Sequence, residues 1–359
     1  MKKKWNVGWG ISSACNMKCQ FCYSKNVREK SFDLGYDDWI KFIDENHEEI
    51  NSINYGTGEN AIYDDWFKFV DYVHQNYGIE QALTTNGFVS QRMKDNKEFE
   101  EIIRRSISEI DISLDFCDPE KHNAFRGQEK AYEWVMNMLQ FCKENNKRTT
   151  IVFIGTNETM DQENLKGLFE IARKYNTKLR MNIYRPTNGI NEHSKKFIAS
   201  YKTIVDTLTF VSNNYKILAL SDSLFSAVLT DNLDVSDPSG QDSLRILPDG
   251  SITPSTYLIS EKFRKYNIKD ENVLLKLHFD NEMLDRSIPE KCMDCEWKNS
   301  CSGGVFDRRY LWYNTFNERD PYCPKREENY IPEEKVKVTK TSDFTSIHDG
   351  YLPTIFFSN

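Results

Sequence analysis

The stretch "SACNMKCQFCYS", residues 13–24, sets Cys15, Cys19 and Cys22 at C-x3-C-x2-C spacing. Thiolates this close together are metal ligands in waiting. A 4Fe–4S cluster usually takes four cysteines, yet the next one along the chain is Cys117. Three thiolates would leave one iron open, and an open iron can bind and activate a ligand. The other reading is a zinc site completed by a distant His or Cys. A second group, Cys292, Cys295, Cys301 and Cys323, runs C-x2-C-x5-C followed by a lone cysteine. Four thiolates suffice for a cluster whose irons are all held by protein, or for a structural zinc.

Composition narrows the setting. The chain has 359 residues, nine of them cysteine, a formal net charge of −8 and a pI near 5.5. An acidic balance excludes a general nucleic-acid binder, which carries a basic face. No apolar run reaches the ~20 residues of a membrane span, and "MKKKWNVGWG" lacks the apolar region of a secretory signal. A cytoplasmic protein is expected, with no nucleic-acid or membrane partner. In a reducing compartment, clustered cysteines hold metal or do redox chemistry more often than they form disulfides.

These thiols need elements to position them. "WNVGWGISSAC" reads as a buried strand entering the first cysteine loop. Strands at "SINYG", "EQALTT", "EIDISLD", "RTTIVFIG" and "KLRMNIY" alternate with helical patterns over 36–50, 61–77, 95–106, 129–146, 161–175 and roughly 193–213. Strand–helix alternation implies parallel strands with helical crossovers. Six repeats, against eight in a closed barrel, predict an open, partial barrel with its chemistry at the strands' C-terminal ends. Beyond about 215 the alternation stops. "LRILPDGSITPS" predicts a hairpin turning at Asp249-Gly250, a helix is expected over 270–285, and "IHDGYLPTIFFSN" is an apolar tail expected to pack into a groove of the chain's own body.

The cysteine loop after a first strand, flanked by Phe21 and Tyr23, resembles the radical S-adenosylmethionine (radical SAM) superfamily. In that family the open iron binds the amino nitrogen and carboxylate oxygen of SAM's methionine moiety. One electron then breaks the sulfonium C–S bond to give a 5′-deoxyadenosyl radical; the cofactor carries the chemistry and the protein positions it. Further stretches match in order. "YGTGEN" resembles the motif beside the methionine amine, with Gly56, Thr57, Gly58 and Glu59; Thr57 departs from the usual glycine. "TTNG" supplies Asn86. "ISLDFCDPEKHNAFRG" resembles the family's fourth-strand signature, implying Ser113 and Asp115 near SAM and Arg126 near the top of the barrel. "NIYRPTNG" offers Tyr184 and Arg185 to the substrate pocket. The resemblance covers roughly residues 5–215.

The second cysteine group, with the hairpin before it, resembles the SPASM extension of peptide- and protein-modifying radical SAM enzymes. The full pattern holds two auxiliary clusters. Here the hairpin cysteine is Ser255, no cysteine falls between 143 and 291, and the fourth member of the run is Val305. The ligands of one auxiliary cluster are missing together and those of the other remain. The expectation is an α/β fold, a partial (β/α)6 TIM-type barrel over 1–215, a SPASM-like domain with one auxiliary 4Fe–4S cluster over 216–330, and a packed tail over 331–359.

The function this resemblance implies is SAM cleavage to modify a ribosomally made peptide by cross-linking, epimerisation or oxidation. A flavodoxin- or ferredoxin-like donor would supply electrons. With the first strand starting near residue 5, peptide-leader recognition would fall to the C-terminal region, the barrel mouth or a separate protein. Cys117, at the end of the fourth strand, is either a hydrogen-atom donor to a substrate radical or a replacement for a loop glycine. Cys142 reads as a small buried apolar residue. The alternatives are dehydrogenation or epimerisation of a small molecule such as an aminoglycoside, and a non-catalytic iron–sulfur or zinc protein.

Overall fold

The computed structural model describes residues 4–25, 28, 32–231, 235–280, 283–341, 344–349 and 351–359. It divides into two compact units: residues 1–114, 118–151 and 239–284, and residues 115–117, 152–238 and 285–359. This division follows contacts within the chain and not the 1–215, 216–330 and 331–359 modules of the sequence.

The first unit is built on β1 (Trp5–Trp9), β2 (Ile50–Tyr55), β3 (Glu80–Thr85) and β4 (Glu109–Ser113), each parallel to the next. β5 (Arg148–Gly155) starts here and runs into the second unit. Trp5, Val7 and Trp9 of β1 are all buried. Trp9 meets the ring edges of Phe42 and Phe69, each with centroids 5.1 Å away. The Asp249-Gly250 hairpin forms as expected: β8 (Ser243–Ile246) turns into β9 (Ser251–Thr253), which pairs β10 (Tyr266–Asn267). β8 also lies parallel to β1 on the side away from β2. The hairpin thus continues the sheet, in the order β10-β9-β8-β1-β2-β3-β4.

In the second unit the alternation does not stop at 215. β7 (Lys216–Leu220) follows the helix Tyr201–Asn214 and is followed by the helix Ser223–Leu229. "KILAL" is too short and too uniformly apolar for periodicity to mark it as a strand. Its pairing decides it. β11 (Ile355–Ser358) lies antiparallel between β6 (Lys178–Ile183) and β7. The apolar tail is therefore a strand inside the sheet. Ile355, Phe356 and Phe357 are at most 1% exposed, and burying each contributes roughly 1.5–3 kcal/mol before ordering entropy.

Both units have the open α/β architecture expected of a partial barrel, with strand–helix repeats through β7 and an antiparallel addition in each. Several helix limits differ from the expectation because caps interrupt the apolar pattern. Asn96 accepts from the Glu98 N–H at 2.9 Å and separates Val89–Asp95 from Lys97–Ser106. Ser200 accepts from the Thr203 N–H at 3.0 Å, so the helix there starts at Tyr201 and not near 193. Within 270–285 the helix is Val273–Leu277; residues 281 and 282 lie outside the described residues.

Replacing Phe356 by Ala should lower stability by about 3–5 kcal/mol, the usual loss for a fully buried Phe. A urea or thermal melt reads it directly. An unchanged midpoint would mean that this strand contributes nothing to the sheet.

Candidate functional site

The first thiol group lies in the first unit, in the loop after β1. Met17, Ala131 and Trp134 form a small core against which Cys15, Cys19 and Phe88 pack. All three thiols are partly buried and none is in a disulfide. Burial pushes the Cys15 thiol up to about 11, against the opposing pull of a backbone N–H bond. A bound metal would reverse this, because coordination deprotonates a thiol outright. Arg28 adds positive charge, donating to the Ser13 carbonyl at 3.0 Å and to Cys22 Sγ at 3.7 Å.

The "YGTGEN" loop is clasped to the cysteine loop. Gly58 has φ +66°, and a Cβ there would lie 2.3 Å from the Ala14 carbonyl oxygen, so only glycine fits. The Glu59 N–H donates to that same carbonyl at 2.9 Å. The Glu59 side chain is wholly buried. Its carboxylate accepts from the Thr85 hydroxyl at 2.9 and 3.0 Å and from the Asn86 N–H at 2.9 Å. Asn86 in turn donates to Asn16 Oδ1 at 2.9 Å and lies 3.9 Å from Cys15 Sγ. The two sequence motifs and the cysteine loop are thus one hydrogen-bonded body with Glu59 at its centre. Burial raises Glu59 to about 7, partly offset by these donors.

Thr57, the departure from the usual glycine, sits at φ +87°, a region costly for a side chain. Its hydroxyl lies 3.2 Å from the Tyr23 hydroxyl and takes a donor from Arg245. Arg245, buried on β8, also donates to the Gly56 carbonyl and reaches Tyr23 at 3.4 Å. Sequence reasoning missed Arg245; the available signal was a lone cation inside the apolar strand "SLRI". It also missed Asp33, which accepts from the Ser12 hydroxyl and the Ser13 N–H at 3.0–3.2 Å. Arg126 stands over the Phe21 ring at 5.0 Å, and its carbonyl oxygen is 3.5 Å from Cys19 Sγ. Ser113 ends β4, partly buried.

In the second unit, Asp115 is fully buried and accepts from the Ile154 N–H at 3.0 Å. The Cys117 thiol packs on a helix: a Cβ at Gly167 would lie 2.4 Å from its Sγ. Tyr184 is buried, which raises its hydroxyl to about 12. Arg185, expected in the pocket, is engaged inside the protein. It donates to Asp307 at 2.8 Å and to the Ile183 carbonyl at 2.8 Å.

The second thiol group is held by a buried ionic core in this unit. Cys292, Cys295, Cys301 and Cys323 line one cavity with Trp297, Gly303 and Arg319. Arg308, with no exposed surface, donates to both Asp222 (2.6 and 3.1 Å) and Asp320 (2.8 and 2.9 Å). Asp320 also accepts from the Val305 and Tyr322 N–H groups, and its own carbonyl takes the Cys323 N–H at 3.0 Å. Gly304, at φ +94°, is required because a Cβ would strike Asp320 at 2.4 Å. Burial raises the Cys292, Cys301 and Cys323 thiols. A tetrahedral zinc would bring its sulfurs to about 3.8 Å from one another at Zn–S ≈ 2.3 Å. Among the described residues no three thiols gather within 4.8 Å of one another.

Residues 9–169 match the Radical SAM superfamily model. The chain carries a radical SAM domain. The fold of this chain is similar to that of Streptococcus suis SuiB bound to precursor peptide SuiA: TM-score 0.67, 17% identity, covering 90% of this chain and 76% of that one. It is equally similar to anSMEcpe with bound AdoMet and a peptide: TM-score 0.68, 17% identity, covering 90% and 95%. In sequence it is 22% identical over 348 residues to the AdoMet-dependent heme synthase of Methanosarcina barkeri, covering 88% of this chain and 95% of that protein. Among the described residues no helix is long and apolar enough to cross a membrane.

Glu59 gives a pH signature in the metal-free chain. Its folded value near 7 exceeds the ordinary 4.5, so the folded chain keeps a proton that the unfolded chain releases. Stability should fall as pH rises from about 4.5 to about 7 and then level off, by about 3 kcal/mol at ~1.4 kcal/mol per pH unit. Glu59→Gln should remove that component, read as the difference between the two proteins' urea midpoints across pH. Parallel profiles would show that the carboxylate is not held neutral.

Proposed function

We propose that this radical SAM enzyme modifies a peptide, with SAM and one 4Fe–4S cluster at Cys15, Cys19 and Cys22 and one auxiliary 4Fe–4S cluster at Cys292, Cys295, Cys301 and Cys323. The observation that carries the reading is the pair of thiol sets outside any disulfide, three and four, on a fold shared over nine-tenths of the chain with two enzymes solved with peptides. Ser255 and Val305 support a single auxiliary cluster. The Ser255 hydroxyl accepts from the Tyr257 N–H at 3.2 Å, and Val305 is buried.

When bound, the first cluster and SAM supply a carbon radical able to take a hydrogen atom from substrate. The chain's own residues hold the site. Gly56, Thr57 and Gly58 form the loop beside the methionine moiety, stiffened by Arg245 and Tyr23. Glu59 acts through Thr85 and Asn86, since its carboxylate already serves those donors. Ser113 and Asp115 are assigned to the SAM side, and Arg126 covers the cluster loop. Tyr184 remains a pocket residue in this reading. Arg185 shapes the pocket through Asp307, and Cys117, packed on Gly167, is assigned no hydrogen transfer. A flavodoxin- or ferredoxin-like donor would supply the electron. The resemblance to an AdoMet-dependent heme synthase favours a second reading, a small-molecule substrate.

Replacing Cys15, Cys19 and Cys22 together by Ala should abolish 5′-deoxyadenosine formation with dithionite. Iron should fall from about eight to about four per chain, as expected when one of two 4Fe–4S clusters is lost. Retained SAM cleavage would refute the assignment. Mass spectrometry of a co-expressed candidate peptide tests the substrate class: a mass change or a new D-residue supports a peptide, and turnover confined to small molecules supports the second reading.

A further inference from the structure

Arg319 occupies a singular place beside the second thiol set. Its Nη2 donates to the Lys291 carbonyl at 2.6 Å, one residue before Cys292. Its Nη1 donates to the Lys325 carbonyl at 3.3 Å, two residues after Cys323. One guanidinium therefore ties together the two segments that carry the first and last thiols of the set. The side chain lines the cavity the four cysteines share. Its Nε–H is buried and has no acceptor in the protein. Such an orphaned donor is costly unless something in the cavity accepts from it. Nearby in sequence, Arg309 is fully buried and donates Nη1 to the Phe316 carbonyl at 2.8 Å.

Resting on the auxiliary-cluster reading above, we infer that Arg319 is the residue that sets the reduction potential of the second cluster. Reduction adds one electron, and so one negative charge, to iron and sulfide held by four thiolates. A fixed guanidinium lining that cavity, with a free N–H, stabilises the reduced form more than the oxidised one. Hydrogen bonds, net charge and burial are the levers that set such potentials. The potential is thereby raised, which suits a cluster that accepts an electron.

The test uses the full chain with Cys15, Cys19 and Cys22 replaced by Ala, so that only the second cluster contributes. A dithionite titration followed by electron paramagnetic resonance gives its midpoint potential. Arg319→Met should lower the midpoint, shifting the reduction equilibrium about tenfold, which is about 59 mV for a one-electron couple. Arg319→Lys should recover part of the difference. If the Met variant fails to assemble a cluster, Arg319→Gln and Arg319→Lys carry the comparison, since both can still donate to the Lys291 carbonyl; Gln must then have the lower midpoint. An intact spectrum with an unchanged midpoint in Arg319→Met, or equal midpoints for Gln and Lys, overturns the inference. A parent chain that holds zinc and gives no cluster signal overturns the auxiliary-cluster reading and this inference with it. That outcome is distinct because it appears before any substitution at 319.

Discussion

Arg308 sits between Asp222 and Asp320 where no water reaches it. Taking these ions out of water costs several kcal/mol each, repaid only by good geometry and full hydrogen bonding. Here both conditions hold. The guanidinium meets both carboxylates, and Asp320 further accepts backbone N–H groups from Val305 and Tyr322. What this arrangement secures is placement. Asp320 fixes the turn that delivers Cys323, forces glycine at 304, and accepts the N–H of Val305 just before the helix Phe306–Tyr313 that carries Arg308 itself. Neighbouring Asp307 holds Arg185 at the end of β6. Thiols spread over loops, with little regular structure to hold them, get a rigid frame from buried charge.

The first thiol group is framed differently. One buried carboxylate gathers donors from the loop after β3. Glu59 receives Thr85 and Asn86, Asn86 reaches the cysteine loop, and the Glu59 N–H closes the circle at Ala14. Burial in this dry centre raises Glu59 above the ordinary carboxylate range. Thr57 holds a backbone conformation costly for a threonine, and Arg245 and Tyr23 meet its hydroxyl. A glycine would adopt that conformation freely but would give Arg245 no hydroxyl to meet. Rigidity is what a reactive radical requires of its container, because a site that reorganises lets the radical reach the wrong bond.

Much of this was readable from the sequence. The three- and four-cysteine spacings, the order of the motifs after β1 to β4, and the strand–helix alternation each state a local rule, and local rules survive folding. Gly58 was readable as a glycine position, and Asn86 as part of a loop. The Asp249-Gly250 hairpin followed from its turn chemistry. Cys142, read as a buried apolar residue, is 1% exposed.

What the sequence determined by itself was the two cysteine spacings and the repeat that carries them, because spacing along a chain fixes which groups can reach a common point. Tertiary structure alone decided the partners of the charged residues. Arg185 reads as a pocket cation until Asp307, 122 positions on, is found 2.8 Å away. Arg245 reads as a strand residue until β8 lies against β1. The apolar tail reads as packing until β6 and β7 leave it the place of a strand. Pairing between positions far apart in the chain follows from the fold that brings them together, and no local pattern encodes it.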